Sequence, residues 1–151
     1  MRKVFLGADS AGFNLKETIK THLEEKGYSV IDLGTESTEP CHYPIFAAAV
    51  ARAVQGEADA FGILVCGTGI GMSMAAGSFR GVRAALCGDT FSARMARLHN
   101  DANVLCLGAR VIGRGLALDI VDLFMTTGFE GGRHATRVDM LRALENGEDI
   151  G

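Results

Sequence analysis

Cys66 closes an apolar run, Phe61-Gly62-Ile63-Leu64-Val65, and opens onto Gly67-Thr68-Gly69-Ile70-Gly71. The glycines at 67, 69 and 71 free the backbone for turns that a Cβ forbids. Met72-Ser73-Met74-Ala75-Ala76 then reads as the start of a helix, so loop N–H groups and a helix dipole converge on one spot, as in backbone anion sites. A thiol at the edge of that field is expected to release its proton more easily than the reference pKa of about 8.5. The segment offers a candidate base beside a cradle for negative charge. Thr68 is either a donor to a substrate oxygen or a plain turn residue. The loop alone is common turn chemistry in α/β proteins, and most free cysteines are buried and inert. Cys87 and Cys106, inside strand-like runs, take that inert reading.

Arg133-His134-Ala135-Thr136-Arg137 follows Gly131-Gly132. On a helix, Arg133 and Arg137 share a face, and paired guanidinium forks suit a phosphate. The alternative is a solvated basic helix start, but cations are disfavoured there unless an anion is present. Arg110, past the fifth apolar run, is a candidate to join them. His99-Asn100-Asp101 ends a helical stretch; His99 is either a dipole-stabilised surface residue or a group trading protons near neutral pH. Asp9 is a cap residue or a carboxylate aimed at substrate. A thiol base, an anion cradle, a histidine acid and an arginine pair describe proton transfer beside a carbonyl with a phosphate held nearby. The histidines and cysteines lack metal-ligand spacing, which favours that route over a metal-assisted hydride shift, with no metal and no cofactor expected.

These residues hang on a regular alternation. Lys3–Ala8, Tyr28–Leu33, Phe61–Val65, Val82–Cys87 and Asn103–Leu107 read as strands. Helices are predicted over Asn14–Glu25, with Leu15, Ile19 and Leu23 inward, and over Pro44–Gln55, with Phe46, Val50 and Val54 inward. Others run from the glycine turn to about Gly77, from Asp89-Thr90 to Leu98, over Ile112–Thr126 with Leu116, Ile120 and Phe124 on one side, and over about Thr136–Glu145. Alternating strands and helices imply right-handed βαβ units and a mostly parallel sheet covered on both faces. Ligands then bind at the carboxyl ends of the strands. Asp9-Ser10, Cys66–Gly71, Asp89-Thr90 and Gly108–Arg110 all fall there and are candidates for one crevice.

At 151 residues a single domain over 1–151 is expected. The net charge of −3 and the absence of a Lys/Arg run argue against nucleic-acid partners. The apolar start ends by Asp9, too short for a signal-peptide core, and no run suits a membrane span. Four cysteines without a C-x-x-C pair suit reduced thiols in a cytoplasmic protein.

Gly7-Ala8-Asp9, Val30-Ile31-Asp32-Leu33-Gly34-Thr35, Tyr43-Pro44, Cys66–Gly71, Gly81-Val82-Arg83-Ala84, His99-Asn100-Asp101-Ala102-Asn103 and Gly131-Gly132-Arg133-His134 together resemble the ribose-5-phosphate isomerase B family. That family shares a superfamily with the galactose-6-phosphate isomerase subunits, and the resemblance runs through nearly the whole chain. It implies a Rossmann-like three-layer α/β sandwich around a central, mostly parallel five-stranded sheet. It also implies a homodimer with active sites shared between subunits, a dimer of dimers being the larger option. Cys66 would move the proton between C1 and C2 of a phosphorylated sugar. The backbone of Gly67, Gly69, Ile70 and Gly71 would hold the enediolate oxygens, with Thr68 assisting. His99, from the partner subunit, would open the furanose ring, while Asp9 and Asn100 hold hydroxyls. Arg110, Arg133 and Arg137 would bind the phosphate.

Two positions depart from the family. Ser10 stands where a phosphate-binding histidine is usual, and His42 where aspartate is common. Relatives resembling tetrulose-phosphate isomerases share Asp-Ser-Ala-Gly but depart at the His-Asn and Gly-Gly-Arg-His motifs, which this chain keeps. The resemblance thus implies isomerisation of ribose 5-phosphate to ribulose 5-phosphate, with tetrose phosphate, allose 6-phosphate or galactose 6-phosphate as alternatives. From another class, Gly67-x-Gly69-x-Gly71 with Asp89 as a ribose acid would make a nucleotide-binding module. Its glycine spacing is wrong for G-x-G-x-x-G, and it leaves Cys66, His99 and the arginines without work.

Overall fold

The computed structural model describes residues 2–151. Strands β1 (Lys3–Ala8), β2 (Ser29–Asp32), β3 (Phe61–Cys66), β4 (Ala84–Leu86) and β5 (Val104–Gly108) form one five-stranded sheet. Their order is β2-β1-β3-β5-β4, and every neighbouring pair is parallel. Between them run α1 (Phe13–Glu25), α2 (Tyr43–Gln55), α3 (Ile70–Ala76), α4 (Thr90–Leu98), α5 (Arg114–Thr126) and, last, α6 (Arg133–Glu145).

The strands are apolar on both faces because both faces are covered. Val4, Leu6, Ile63, Val65, Leu105 and Leu107 point to one side, under Ile19 and Leu23 of α1, Ala93 and Ala96 of α4, and Ile120 and Phe124 of α5. Phe5, Leu64, Cys66, Val104 and Cys106 point to the other, under Val50 and Ala51 of α2 and Met72 and Ala76 of α3. The result is the expected three-layer Rossmann-like sandwich, with Cys66 facing the α2–α3 layer.

Three expectations shift. β4 is shorter than Val82–Cys87, because the Asn103 side chain takes the Arg83 N–H at 2.7 Å and Phe79 O takes the Val82 N–H at 3.1 Å. Leu116 is 38 % exposed, since Ala117, Ile120, Val121 and Phe124 form the buried stripe of α5 and leave Leu116 at its edge. α6 begins at Arg133 rather than Thr136, after Gly132 at φ +59°.

A buried charge fastens the sheet's outer strand. Lys16, 1 % exposed, donates to Asp32 Oδ1 at 2.6 Å and to Thr35 O at 2.6 Å. Burial pushes the Asp32 carboxyl up, but the Lys16 ammonium and the Gly34 N–H outweigh it and hold it below the usual carboxylate range. Removing Asp32 would strand a buried ammonium, a loss of about 3–5 kcal/mol. Gly34 and Thr35 in turn exchange backbone hydrogen bonds with Ala8, each at 2.8 Å, so the pair also steadies the chain just before Asp9.

α6 lies outside both core clusters. Of its residues only His134 and Val138 are buried, while Met140, Leu141 and Leu144 are 39 %, 44 % and 51 % exposed. Among the described residues no helix is long and apolar enough to cross a membrane.

Candidate active site

From β1 the chain winds one way to β2 and the other way to β3, β5 and β4, so the order reverses between β1 and β3. The crevice outside the carboxyl ends of those two strands is where such sheets bind ligands. Asp9 follows β1 and Cys66 ends β3. Asp9 donates its N–H to Val65 O at 3.2 Å, and its Oδ1 accepts the Gly12 N–H at 3.0 Å. The carboxylate therefore caps the turn into α1 while staying partly exposed beside Ser10.

Cys66 is 5 % exposed, and its Sγ accepts the Gly69 N–H at 3.1 Å, an interaction that a thiolate accepts better than a thiol. The bond requires the loop to double back, and Gly69 does so at φ +79°, where a Cβ would also lie 2.5 Å from Leu86 Cδ1. Gly108, at the end of β5, lets the loop close down, since a Cβ there would meet Thr68 O at 2.6 Å. Thr68 Oγ1 accepts the Ile70 N–H at 3.2 Å and lies exposed. The ring of Tyr43 packs on Gly71, where a Cβ would fall 2.6 Å from it. α3 spans only seven residues. Anion binding therefore rests on the loop amides more than on a long helix dipole.

The other cysteines are placed differently. Burial, then the Asp89 charge, pushes the Cys87 thiol up to about 11, and burial pushes Cys106 up further. Both fit the inert role expected of them. Asp89 is the N-cap of α4, its carboxylate accepting the Ser92 N–H at 2.6 Å and the Ser92 hydroxyl at 2.9 Å. That occupation removes the ribose acid the nucleotide-binding reading needed.

The remaining candidates assemble elsewhere. His99, the C-cap of α4, stacks on His134 with ring centroids 3.9 Å apart and planes 7° from parallel. His99, Asn100, His134 and Arg137 line one cavity with Val138 and Leu141. Arg133 is the first residue of α6, so both arginines lie on its opening turns, exposed and free to meet an anion. Glu130 reaches across to both imidazoles, its carboxylate 3.6 Å from His99 Nε2 and 4.0 Å from His134 Nε2. Burial, His99 and Arg133 hold His134 below its usual range. Its Nε2 is buried with no hydrogen-bond partner.

Within one chain the two groups stand apart. Arg97, just before His99, lays its guanidinium over the Phe61 ring at 4.6 Å, at the amino end of β3. Cys66 ends that strand, and at about 3.3 Å per residue it lies roughly 16 Å further on. Arg110 joins the thiol: its N–H donates to Gly67 O at 2.9 Å and its guanidinium lies against Gly67. It does not stand with Arg133 and Arg137, as the sequence alone had suggested. Asp9, Ser10, Cys66, Thr68 and Arg110 thus form one half-site, and His99, Asn100, Arg133 and Arg137 a second. Glu130 and His134 were missed as functional residues; their flanking Gly131-Gly132 was the available signal.

The family model described as Ribose/Galactose Isomerase matches residues 4–141. Ribose-5-phosphate isomerase B of Escherichia coli K12 is 49% identical over 145 residues, 96% of this chain and 97% of that protein. D-erythrulose-4-phosphate isomerase of Pectobacterium atrosepticum is 44% identical over 149 residues, 98% of each chain. The crystal structure of ribose-5-phosphate isomerase B from Mycoplasma genitalium with bound ribulose 5-phosphate superposes with a TM-score of 0.92 at 41% identity, covering 95% of this chain and 96% of that one.

Proposed function

The chain belongs to the ribose/galactose isomerase family, and we propose that Cys66 is the base with which it interconverts ribose 5-phosphate and ribulose 5-phosphate. The observation carrying this reading is the Cys66 thiol, held by the Gly69 N–H inside an amide-rich loop at the sheet's reversal point. In the open-chain aldose the C2 proton is acidified by the C1 carbonyl. Cys66 takes that proton, the loop amides stabilise the charge that develops on oxygen, and the proton returns at C1 to give the ketose. Thr68 assists at the same oxygens, and Asp9 and Asn100 hold hydroxyls. His99 protonates the ring oxygen so that the furanose opens. Arg110, Arg133 and Arg137 bind the phosphate.

This division of labour needs two copies of the chain, because one copy holds Cys66 and His99 at opposite ends of β3. A homodimer in which each site takes Cys66 from one subunit and His99, Asn100, Arg133 and Arg137 from the other brings them together. The exposed Met140, Leu141 and Leu144 of α6 support it, since a helix with so small a buried face gains its stability by covering a neighbour. Mixing Cys66→Ala with His99→Ala chains, each nearly inactive, should restore about one quarter of wild-type activity per chain after subunit exchange, because each mixed dimer keeps one intact site. Activity no higher than the sum of the two variants would place all the residues in one subunit's site.

Ser10 bears on which sugar phosphate is preferred. A serine hydroxyl brings no charge and reaches less far than an imidazole, so the phosphate end here is wider and less positive. Ribose 5-phosphate is expected to be turned over, with tetrose phosphates and allose 6-phosphate as competitors. Because kcat/KM ratios report transition-state discrimination, Ser10→His should raise the ratio for ribose 5-phosphate over those sugars. An unchanged order and magnitude across that panel would make Ser10 neutral. No turnover of any sugar phosphate by the wild type would overturn the isomerase assignment.

A further inference from the structure

We propose that Glu130, His99 and His134 form a binding site for a divalent cation of the zinc type, and that occupation inhibits the isomerase by tying up His99. The inhibitory part rests on the role given to His99 above; the binding part does not. One ring nitrogen from each histidine and a carboxylate oxygen of Glu130 all lie within 4.8 Å of one another. Zinc holds such donors at about 2.0–2.2 Å in a tetrahedron, which sets neighbouring donors about 3.3 Å apart. The His99–Glu130 and His134–Glu130 separations, 3.6 and 4.0 Å, are thus a few tenths of an ångström too wide and too long for good hydrogen bonds. The three groups surround a gap rather than satisfying one another.

His134 supplies the independent sign that something belongs there. It is 5 % exposed, and its Nε2 is buried with no hydrogen-bond partner, a state that costs free energy unless a ligand answers it. Two imidazoles and one carboxylate are the donor set of many zinc sites, with the fourth position left to solvent. The rings lie nearly parallel, so their lone pairs run side by side and one ring must swing before both reach a common ion. His99, with 36 % of its side chain exposed, is the one with room to do so. Arg133 and Arg137, on the opening turns of α6, keep His134 neutral, the form a metal binds, but also repel a dication. Moderate, reversible affinity is the consequence.

The test is calorimetric titration of zinc chloride into the folded protein carrying Cys41→Ser and Cys66→Ala, which removes the two thiols least enclosed by the core. One zinc ion per chain is expected. Glu130→Gln, a change at a half-exposed side chain that leaves the fold intact, should weaken binding about tenfold or more, and His134→Gln should abolish it. In the protein with its native cysteines, zinc should inhibit turnover and a chelator should restore it. The inhibiting concentration should rise in Glu130→Gln by the factor seen in binding. No uptake, or uptake indifferent to both substitutions, overturns the site. Binding with the expected ligand dependence but unaltered turnover overturns the inhibition and counts against His99 as the ring-opening acid.

Discussion

Cys66→Ala is expected to lower kcat by about 10²–10⁴-fold, the usual contribution of a positioned general base. The loss should fall on kcat more than on KM. The sulfur touches the reacting carbon, whereas phosphate and hydroxyl contacts come from other residues and persist. Alanine also fits the space, since Cys66 packs among Leu64, Met72 and Ala76 without supplying a polar contact to the core. The variant should therefore fold normally and still bind ribulose 5-phosphate, which a thermal shift with ligand would register. Cys87→Ala is the matched control. That thiol is 2 % exposed, its proton is held up to about 11, and it faces the opposite side of the sheet. It should stay active. Near-normal turnover in Cys66→Ala would remove the thiol from the mechanism and leave the loop as a binding element alone.

The alternation of strands and helices was legible because each carries its own period, and the carboxyl ends of the strands follow from that alternation alone. So the placement of Asp9, Cys66 and Arg110 at one end could be read from sequence. What could not be read is that His99 sits at the other end. A helix connecting parallel strands runs antiparallel to them, so a residue closing α4 falls at the amino edge of the sheet, whatever its chemistry. Arg133 and Arg137 follow it there because Glu130 donates its N–H to Leu98 O at 3.0 Å, a tertiary bond with no sequence signature. The His99–His134 stack has the same origin; their separation along the chain matches no metal or catalytic spacing. The start of α6 was missed for a local reason. Gly132, at φ +59°, makes the cap from backbone alone, with no Ser, Thr, Asp or Asn to announce it. β4 was overextended because the Asn103 side chain, rather than a strand, occupies the Arg83 N–H.

Arg133→Ala and Arg137→Ala should each cost roughly 1.5–3 kcal/mol of phosphate binding, the loss of one charge-assisted contact, or about 10- to 150-fold in affinity. The effect should not be confined to KM. A phosphate held far from the reacting carbons fixes where C1 and C2 lie relative to Cys66, so weakening its grip misplaces the substrate and lowers kcat as well. Neither arginine is engaged in a salt bridge among the described residues, and both side chains are exposed, so truncation should leave the melting temperature nearly unchanged. The double variant should fall further than either single one. It should fall by less than the product of the two if both guanidinium groups grip the same phosphate, because neighbouring sites couple. Unphosphorylated ribose supplies the complementary measurement. It should be a very poor substrate for the wild type and equally poor for both variants, since there is no phosphate for the arginines to hold. Normal handling of ribose 5-phosphate by Arg133→Ala and Arg137→Ala would move the phosphate away from α6, and with it the case for a site completed by a second subunit.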